Sequence, residues 1–381
     1  MKMKSGISLA LATVLFAGAC GDNNDGAPDA PPGNDSMMGM DMSMPARERA
    51  VVVAGDFVAA GLLSSLDVEA RTSENNVAPA TAVGNDPVLR RFGNELFVVN
   101  RIENNITILN ATTFALVEQI STGTNSNPQD VAIEGNKLFV PVYGGSGIVE
   151  LTRGMTTITP IDLSEDDPDD KPNCASIYKI GTSLFVTCQI LDDSMRFLPP
   201  RGPGKLYTVD IGTRTKTGEA TLTTANPFGL LDQLPNNGDL VVGTIDFADG
   251  SGCLERITTG ATPAASCMAT NTALGGNVTR VTIRNDTEIL AVVANPSFAM
   301  GSSLKVIEDN GTVGATFTKA GQVLRDGVAC PSGAVVVEEG PSGVAPAPQG
   351  LRVYSASQTE TTTGPIDVGL KPQSFRALAC Y

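Results

Sequence analysis

Residues 120–140 read ISTGTNSNPQDVAIEGNKLFV and contain the end of one strand, a proline-led strand, a tight turn and a further strand. In the turn, Gly135-Asn136 supplies residue types that accept the positive φ angles of short hairpins. The strand that follows begins at Leu138 and is short and apolar. This proline–strand–turn–strand unit is the pattern to search for along the rest of the chain.

The short apolar strand recurs seven times, at intervals of roughly 42 to 56 residues. It begins at Val51, Leu96, Leu138, Leu184, Leu240, Ile289 and Val335. From the second repeat onward a turn precedes it, at Gly93-Asn94, Gly135-Asn136, Gly181-Thr182, Asn237-Gly238, Asn285-Asp286 and Ser332-Gly333. Within each repeat, one or two more short strands follow the apolar strand. The sequence therefore predicts an all-β fold, a seven-bladed β-propeller of four-stranded antiparallel blades.

The two ends of the repeat region complement each other. The first strand, Arg49–Phe57, corresponds to the second strand of a blade, and the last, Ser374–Tyr381, corresponds to a first strand. Pairing these strands from both termini would close the ring and remove exposed sheet edges. We therefore expect residues 48–381 to form one closed propeller.

The repeat resembles that of the YVTN β-propeller family, which runs I-x-V-G, a short gap, P-x-x-v-a-v, a turn and l-y-V-x-N. Ile120-Ser-Thr-Gly123 and Pro128-Gln-Asp-Val-Ala-Ile match it, as do Leu96-Phe-Val-Val-Asn100 and Ile366-Asp-Val-Gly369. The resemblance covers about residues 48–381 and is strongest in three or four repeats. It implies a propeller fold and a role in interactions at the cell surface or in the periplasm.

Two cysteine pairs are predicted from the hairpin register. Cys174 and Cys188 lie at equal distances from one turn, and Cys253 and Cys267 from another. Residues that oppose each other in antiparallel strands lie close enough for a disulfide bond. We therefore expect each pair to be bonded across its hairpin.

A third pair follows by elimination. Cys330 and Cys380 each end the innermost strand of neighbouring predicted blades, so a bond between them would fix the C-terminal strand in the ring. Free thiols in a redox-active site are the alternative. An oxidising compartment favours the structural disulfide.

The N-terminus predicts export and lipid attachment. Residues 1–19 have two lysines and an apolar stretch, Ile7–Ala17, of signal-peptide length. Ala17-Gly18-Ala19-Cys20 resembles a lipobox, although an ordinary A-x-A cleavage site also fits. Lipidation of Cys20 leaves six of the seven cysteines for three disulfides. We expect a lipoprotein anchored to the cell envelope, at the outer membrane, through its lipid only.

Residues 20–47 are predicted to form a disordered tether, because Asp, Asn, Gly, Pro and Met dominate and branched apolar residues are almost absent. Its methionines are Met37, Met38, Met40, Met42 and Met44. Thioethers are soft ligands that suit Cu(I). The alternative is compositional drift in a segment that binds no metal.

Charge and composition exclude several kinds of chemistry. The chain has no histidine, which excludes Ser-His-Asp and Cys-His nucleophiles, His-ligated haem and the usual catalytic zinc sites. The net charge of −15, with no apparent basic face, argues against a nucleic-acid partner. An enzyme would have to use carboxylates, Lys, Tyr or a bound metal.

Two loops could carry binding. The acidic segment Asp162–Asp170 could hold Ca²⁺ through carboxylate oxygens, or it could be a solvated loop. The insertion Asp192–Lys205 is rich in Pro and Arg and lengthens another loop. Long loops on a rigid scaffold often carry binding residues.

The sequence favours a monomeric, non-enzymatic binding or scaffold protein of the cell envelope, whose partner is an envelope protein or a small ligand. It assigns no catalytic residue and no firm cofactor. Alternatives are a metal-assisted hydrolase or lactonase-like propeller enzyme, and a Cu(I)-binding protein that acts through its Met-rich tail.

Overall fold

The computed structural model describes residues 47–58, 61–195, 198–246, 249–295, 301–317, 322–340, 349–370 and 376–381. These described residues form one compact unit. The predicted signal peptide, and the predicted tether as far as residue 46, lie outside the described residues.

Seven small antiparallel sheets, which are the blades, account for the strands. Blade 1 contains β1 (Arg49–Gly55), β2 (Gly61–Asp67) and β3 (Thr72–Glu74). Blade 2 contains β4 (Pro87–Phe92), β5 (Glu95–Asn100), β6 (Asn105–Asn110) and β7 (Leu116–Ser121). Blade 3 contains β8 (Ala132–Glu134), β9 (Lys137–Val142), β10 (Gly147–Thr152) and β11 (Ile158–Asp162). Blade 4 contains β12 (Cys174–Ile180), β13 (Ser183–Cys188), β14 (Lys205–Asp210) and β15 (Thr215–Thr221).

The remaining blades follow the same order. Blade 5 contains β16 (Pro227–Gln233), β17 (Leu240–Ile245), β18 (Gly252–Ile257) and β19 (Ala265–Thr270). Blade 6 contains β20 (Asn277–Asn285), β21 (Glu288–Ala294), β22 (Ser302–Glu308) and β23 (Val313–Thr316). Blade 7 contains β24 (Leu324–Ala329), β25 (Val335–Glu339) and β26 (Gly350–Tyr354), and β27 (Leu378–Cys380) joins blade 1.

The predicted seven-bladed propeller is confirmed, since the seven sheets are arranged in a ring and almost all of the structure is β. Blade 7 has three regular strands, and isolated bridges from Leu351 to Ile366 and from Tyr354 to Glu360 stand in place of its fourth. Among the described residues, the helices are a 3₁₀ turn, Ser164–Asp166, and α1 (Asn271–Leu274). Within the described ranges, no helix is long and apolar enough to cross a membrane.

Strands from both ends of the propeller close the ring, as predicted. In the register of β1 and β27, Ala50 lies opposite Cys380 and Val52 opposite Leu378. Beyond the paired residues, Tyr381 donates its backbone N–H to the Arg49 carbonyl over 2.8 Å. The regular part of β27 is shorter than the predicted strand, and residues 374 and 375 of that strand lie outside the described residues.

The second strand of each blade is apolar because neighbouring blades cover both of its faces. In β5, the four residues from Leu96 to Val99 are all buried. One apolar cluster joins Phe97 of blade 2 to Leu138 and Val140 of blade 3. A strand buried on both sides reads as a continuous apolar run rather than as an alternating one. This is why the repeat is visible in the sequence.

Hydrogen bonds join the innermost strands of successive blades around the central channel. A backbone N–H on one strand donates to an oxygen supplied by the innermost strand of the preceding blade or by the residues that lead into that strand. The pairs are Leu89 to the Arg376 carbonyl (3.0 Å), Ile177 to Asp130 Oδ2 (3.0 Å), Leu231 to Ser176 Oγ (2.9 Å), Ile283 to Asp232 Oδ2 (3.1 Å) and Leu378 to Asp326 Oδ2 (2.9 Å). These bonds hold the strand ends that frame the channel in fixed positions.

The three disulfides are the predicted ones. Cys174 lies directly opposite Cys188, next to a bulge in β12. The register expected for the second pair is wrong, because the hairpin of β18 and β19 is centred on residue 261 and not on Gly260, which places Cys267 opposite Glu255 and not opposite Cys253. The third bond, Cys330–Cys380, links the residue after β24 to β27, so this pair is not present as the free thiols of the alternative.

Candidate binding site at the channel mouth

A cavity of about 330 Å³ opens at one end of the channel, where first strands begin and second strands end. We call it the channel-mouth cavity. Its lining comes from blades 2 to 5 and from the segment that precedes β27. The polar side chains that matter below are Asp86, Arg101, Gln129, Tyr143, Gln189, Asn226 and Arg376.

The repeat itself brings these residues together. Asp86 and Asn226 directly precede the first strands β4 and β16. Arg101, Tyr143 and Gln189 directly follow the second strands β5, β9 and β13. Because these strand ends meet around the channel, equivalent positions of different blades face one cavity although they are far apart in the chain.

Two arginines share one amide oxygen in the wall of the cavity. Gln129 Oε1 accepts hydrogen bonds from Arg376 Nη2 at 3.2 Å and from Arg101 Nη1 at 3.4 Å. Arg101 also forms a salt bridge with Asp86. Gln129 Nε2 donates to Asn127 Oδ1 at 2.8 Å, which fixes the amide so that its oxygen faces the arginines.

Arg376 is a buried cation with little compensating charge. Its residue is 5% exposed, and its Nη1 donates to the Ala175 carbonyl at 3.1 Å. Burial, and then repulsion by Arg101, lowers the pKa of Arg376 to about 9. Asp86 and Asp130 act in the opposite direction, but each is already paired with another arginine. The positive charge of Arg376 is therefore directed at the cavity without a carboxylate of its own.

Tyr143 contributes a neutral phenol to the wall. Its hydroxyl donates to Gln189 Oε1 at 2.8 Å, and Gln189 Nε2 donates to the Pro227 carbonyl at 3.0 Å. Burial, reinforced by the nearby negative charge of Asp193, raises the pKa of Tyr143 well above its ordinary value. The phenol therefore stays protonated and orders the wall rather than acting as a base.

Asn226 stands at the junction before β16 with a positive φ of 53°. Asn adopts this left-handed conformation more readily than most residues. The residue is 4% exposed, and its Oδ1 has no hydrogen-bond partner among the described residues. A buried amide oxygen without a donor is unusual and costly, so it marks a place where a ligand or water can bind.

The predicted long loop reaches the cavity. Leu191, just before the insertion Asp192–Lys205, and Leu198, within it, line the channel mouth. Leu198 supplies an apolar rim beside the polar wall. The prediction that this insertion contributes to binding stays a prediction, although its position is consistent with that role.

The acidic loop, with its partners, forms a cluster on the same side of the propeller. Arg201 Nη2 lies 2.9 Å from Asp169 Oδ2 and 3.0 Å from Asp192 Oδ1. Burial, and then the adjacent Asp169, raises the pKa of Asp167 to about 6. The guanidinium group of Arg201 thus already lies where a cation would bind among these carboxylates. Calcium binding here stays a prediction.

Several other predicted sites are untested by the structure. Cys20 and the methionines Met37, Met38, Met40, Met42 and Met44 lie outside the described residues. Within the described part of the chain, one compact group of three metal-ligand residue types occurs, Glu48 with Cys330 and Cys380. These cysteines form a disulfide, and the Glu48 carboxylate accepts hydrogen bonds from Ser332, so the group is structural.

The sequence analysis missed the residues of the channel-mouth cavity. A signal was present, because a polar residue stands before the proline that opens a repeat at Asp86-Pro87, Asn127-Pro128 and Asn226-Pro227. A propeller places such positions at the channel mouth. Arg376 gave no comparable signal, since it follows the repeat proline by four residues.

Comparisons with known proteins show the fold class. No protein-family model and no curated protein match the sequence. A 6-phosphogluconolactonase-like protein from Bacteroides fragilis NCTC 9343 superposes with a TM-score of 0.61 and 11% identity, over 90% of this chain and 100% of that one. For apo AztD from Citrobacter koseri the values are 0.56 and 11%, over 88% and 98%. For streptogramin B lyase they are 0.51 and 15%, over 76% and 89%.

At such identities the similarity establishes a shared propeller fold and nothing about chemistry. The chain is thus a seven-bladed β-propeller. Its similarity to the YVTN repeat remains a resemblance, which the family comparison does not confirm.

Proposed function

We propose that this protein is an exported, lipid-anchored, non-enzymatic binding protein that holds a small ligand in the channel-mouth cavity. The observation that carries the proposal is the convergence of polar side chains from five blades on one cavity, around the incompletely neutralised Arg376. A volume of about 330 Å³ is at the lower end of the range for small-molecule pockets. The cavity therefore suits a metabolite rather than a protein segment.

The chemistry of the wall favours binding over catalysis. Asp86 is the single carboxylate among the described lining residues, and it is engaged in a salt bridge with Arg101. Tyr143 is protonated, as derived above. A hydrolase would need a nucleophile and a base or an assembled metal site. The lining residues that the structure describes supply neither.

Attachment to the envelope is the second part of the proposal. It rests on the signal-peptide pattern, on Cys20 within its lipobox-like sequence and on the YVTN resemblance. Cells grown with an alkyne fatty acid should label the wild-type protein, and Cys20→Ala should lose the label. Equal labelling of both proteins would contradict a lipid on Cys20.

The binding function can be tested without knowing the ligand. The mature protein is incubated with a small-molecule extract of envelope-containing cells, desalted and examined by native mass spectrometry. We expect a one-to-one adduct in the wild type and in Arg47→Gln, an exposed control, and its loss in Arg376→Gln. The released molecule should have the mass of one already present in the extract.

Two outcomes would contradict the proposal. If no extract yields a retained adduct, the cavity is not a binding site. If the protein converts the retained molecule into a new product, the hydrolase alternative replaces the binding role.

A further inference from the structure

Two residues that line the channel-mouth cavity each carry a buried polar atom that lacks a hydrogen-bond partner among the described residues. One is a donor, Arg376 Nε, and the other is an acceptor, Asn226 Oδ1. Both residues are more than nine-tenths buried, and both line the cavity. Leaving a buried donor or acceptor unsatisfied is energetically costly, so a ligand that satisfies both atoms would gain on each.

The other polar groups of the wall are already satisfied by one another. Gln129 Oε1 accepts from both arginines, and Tyr143 donates to Gln189. Arg101 is neutralised by Asp86. A ligand that completes the hydrogen bonding of the wall would therefore supply an acceptor for Arg376 Nε, next to a positive charge, and a donor for Asn226 Oδ1.

Deepening the proposed function, on which this inference rests, we propose that the ligand is a small anion that also carries a hydroxyl group. A carboxylate or phosphate oxygen accepts from Arg376 Nε, and a ligand hydroxyl donates to Asn226 Oδ1. The lowered pKa of Arg376 shows that its positive charge is poorly compensated within the protein. A bound anion would supply the missing negative charge. Charge-assisted hydrogen bonds of this kind are the strong ones.

The cavity selects against the obvious alternatives. A cation would meet the positive charge of Arg376, which has no carboxylate of its own, within the same small volume. An apolar ligand would leave both buried atoms unsatisfied. A neutral polyol could satisfy Asn226 but would leave the charge of Arg376 uncompensated.

Two matched ligand pairs test the inference by isothermal titration calorimetry. Gluconate is compared with sorbitol, which has the same length and hydroxyl pattern without the carboxylate. Glycerol 3-phosphate is compared with glycerol, so that a carboxylate and a phosphate preference are separated. We expect at least one anion to bind at least tenfold more tightly than its neutral partner.

Protein variants locate the binding. Arg376→Gln should weaken binding of the preferred anion at least tenfold, and Arg47→Gln, the exposed control, should not change it. Since Arg376 also bonds to blades 3 and 4, a second variant keeps the test independent of its folding. Asn226→Asp preserves size and tolerance of positive φ but adds a negative charge, so it should also weaken anion binding at least tenfold.

The outcomes separate this inference from the proposed function. If neither anion binds, or if neutral partners bind as tightly, the anion inference is overturned. Unchanged affinity in both variants overturns it as well. A neutral extract molecule retained by the wild type and lost in Arg376→Gln would leave the binding function standing without the anion.

Discussion

Arg90 and Arg376 show how the same residue type serves structure in one place and a site in another. Arg90 forms two hydrogen bonds with Asp130, at 2.7 and 2.8 Å. Burial lowers the pKa of Arg90, but the charge and hydrogen bonds of Asp130 outweigh it and raise the pKa. Arg376 is more deeply buried and has no such partner, so its pKa falls. We therefore regard Arg90 as a structural residue and Arg376 as a binding residue.

Glu338 is a fully buried acid whose pKa is strongly perturbed. It lies in β25 opposite Asp326, is fully buried, and neither of its carboxylate oxygens has a hydrogen-bond partner among the described residues. Burial, and then repulsion by Asp326, raises its pKa well above the ordinary value. The folded protein thus keeps a proton on Glu338 at pH values where the unfolded chain has lost it.

The consequence is a stability that falls with rising pH. Above about pH 4.3, the ordinary pKa of Glu, the unfolded chain releases the proton, and stability declines until the pH passes the raised pKa of the folded state. Glu338→Gln removes this titration. We expect the variant to unfold at higher urea concentration than the wild type at pH 8, and to differ little from it at pH 4.

The exposed Glu74→Gln is the control, and it should match the wild type at both pH values. A Glu338→Gln protein that is less stable than the wild type at pH 8 would show that the carboxylate is ionised and stabilising in the fold. Urea unfolding followed by circular dichroism measures all three proteins.

At the scale of the strand, the apolar runs and the turns could be predicted from the sequence. Departures from regular hydrogen bonding between neighbouring strands could not. All seven apolar second strands and the turns before β5, β9 and β13 lie where the sequence places them. The regular part of β8, however, begins at Ala132 and not at Pro128. Asp130 Oδ1 accepts the Val131 N–H at 2.8 Å, so a side chain replaces the neighbouring strand as the partner of the backbone.

The position of one turn explains the other difference at this scale. Cys267 lies opposite Glu255, two residues from the expected partner Cys253, because the hairpin of β18 and β19 is centred on residue 261 and not on Gly260. The residue on which a hairpin is centred depends on which backbone groups pair across the turn, and a single sequence does not display that. The cysteine pairing was still predictable, because a disulfide tolerates a small offset between its two strands.

The disulfide Cys330–Cys380 should contribute more to stability than the hairpin disulfide Cys174–Cys188. Its cysteines are 50 residues apart in the chain, against 14 for the hairpin pair. The chain-entropy relation gives about 4 kcal/mol for the longer loop and about 3 kcal/mol for the shorter one. Double Cys→Ala variants of each pair, unfolded in guanidinium chloride, measure the two losses.

The position of the bond makes a second readout possible. Without Cys330–Cys380, the short β27 is held by its hydrogen bonds to β1 and to Asp326. We expect faster hydrogen exchange at the amides of β1 in this variant and unchanged exchange in β5. Equal protection of β1 in both double variants would contradict the view that this disulfide secures the ring.

At the scale of the whole molecule, the fold could be predicted from the sequence and the site could not. Each blade repeats the same apolar strand and turn, and seven copies leave little choice of architecture. The site instead combines residues from Asp86 to Arg376, and only closure of the ring brings them to one cavity. Their side chains differ from blade to blade, so no repeat pattern reveals them.

The charge distribution also emerges only at this scale. The chain carries a net charge of −15, yet the channel mouth presents two arginines and one carboxylate. Acidic residues such as Asp169 and Asp192 lie in the neighbouring loops and are bonded to Arg201. The local positive charge of the cavity is consistent with binding of a small anion through direct contacts, although the protein as a whole is acidic.

The most direct test of the binding account is to follow a bound ligand by NMR over a day in the presence of equimolar protein. With the anion that binds best by calorimetry, we predict saturation transfer from the wild-type protein, its loss in Arg376→Gln, and ligand signals that stay unchanged in position and integral. New product signals that depend on the protein would contradict the central claim, because they would make the channel mouth an active site. Saturation transfer that persists in Arg376→Gln would place the ligand elsewhere on the propeller.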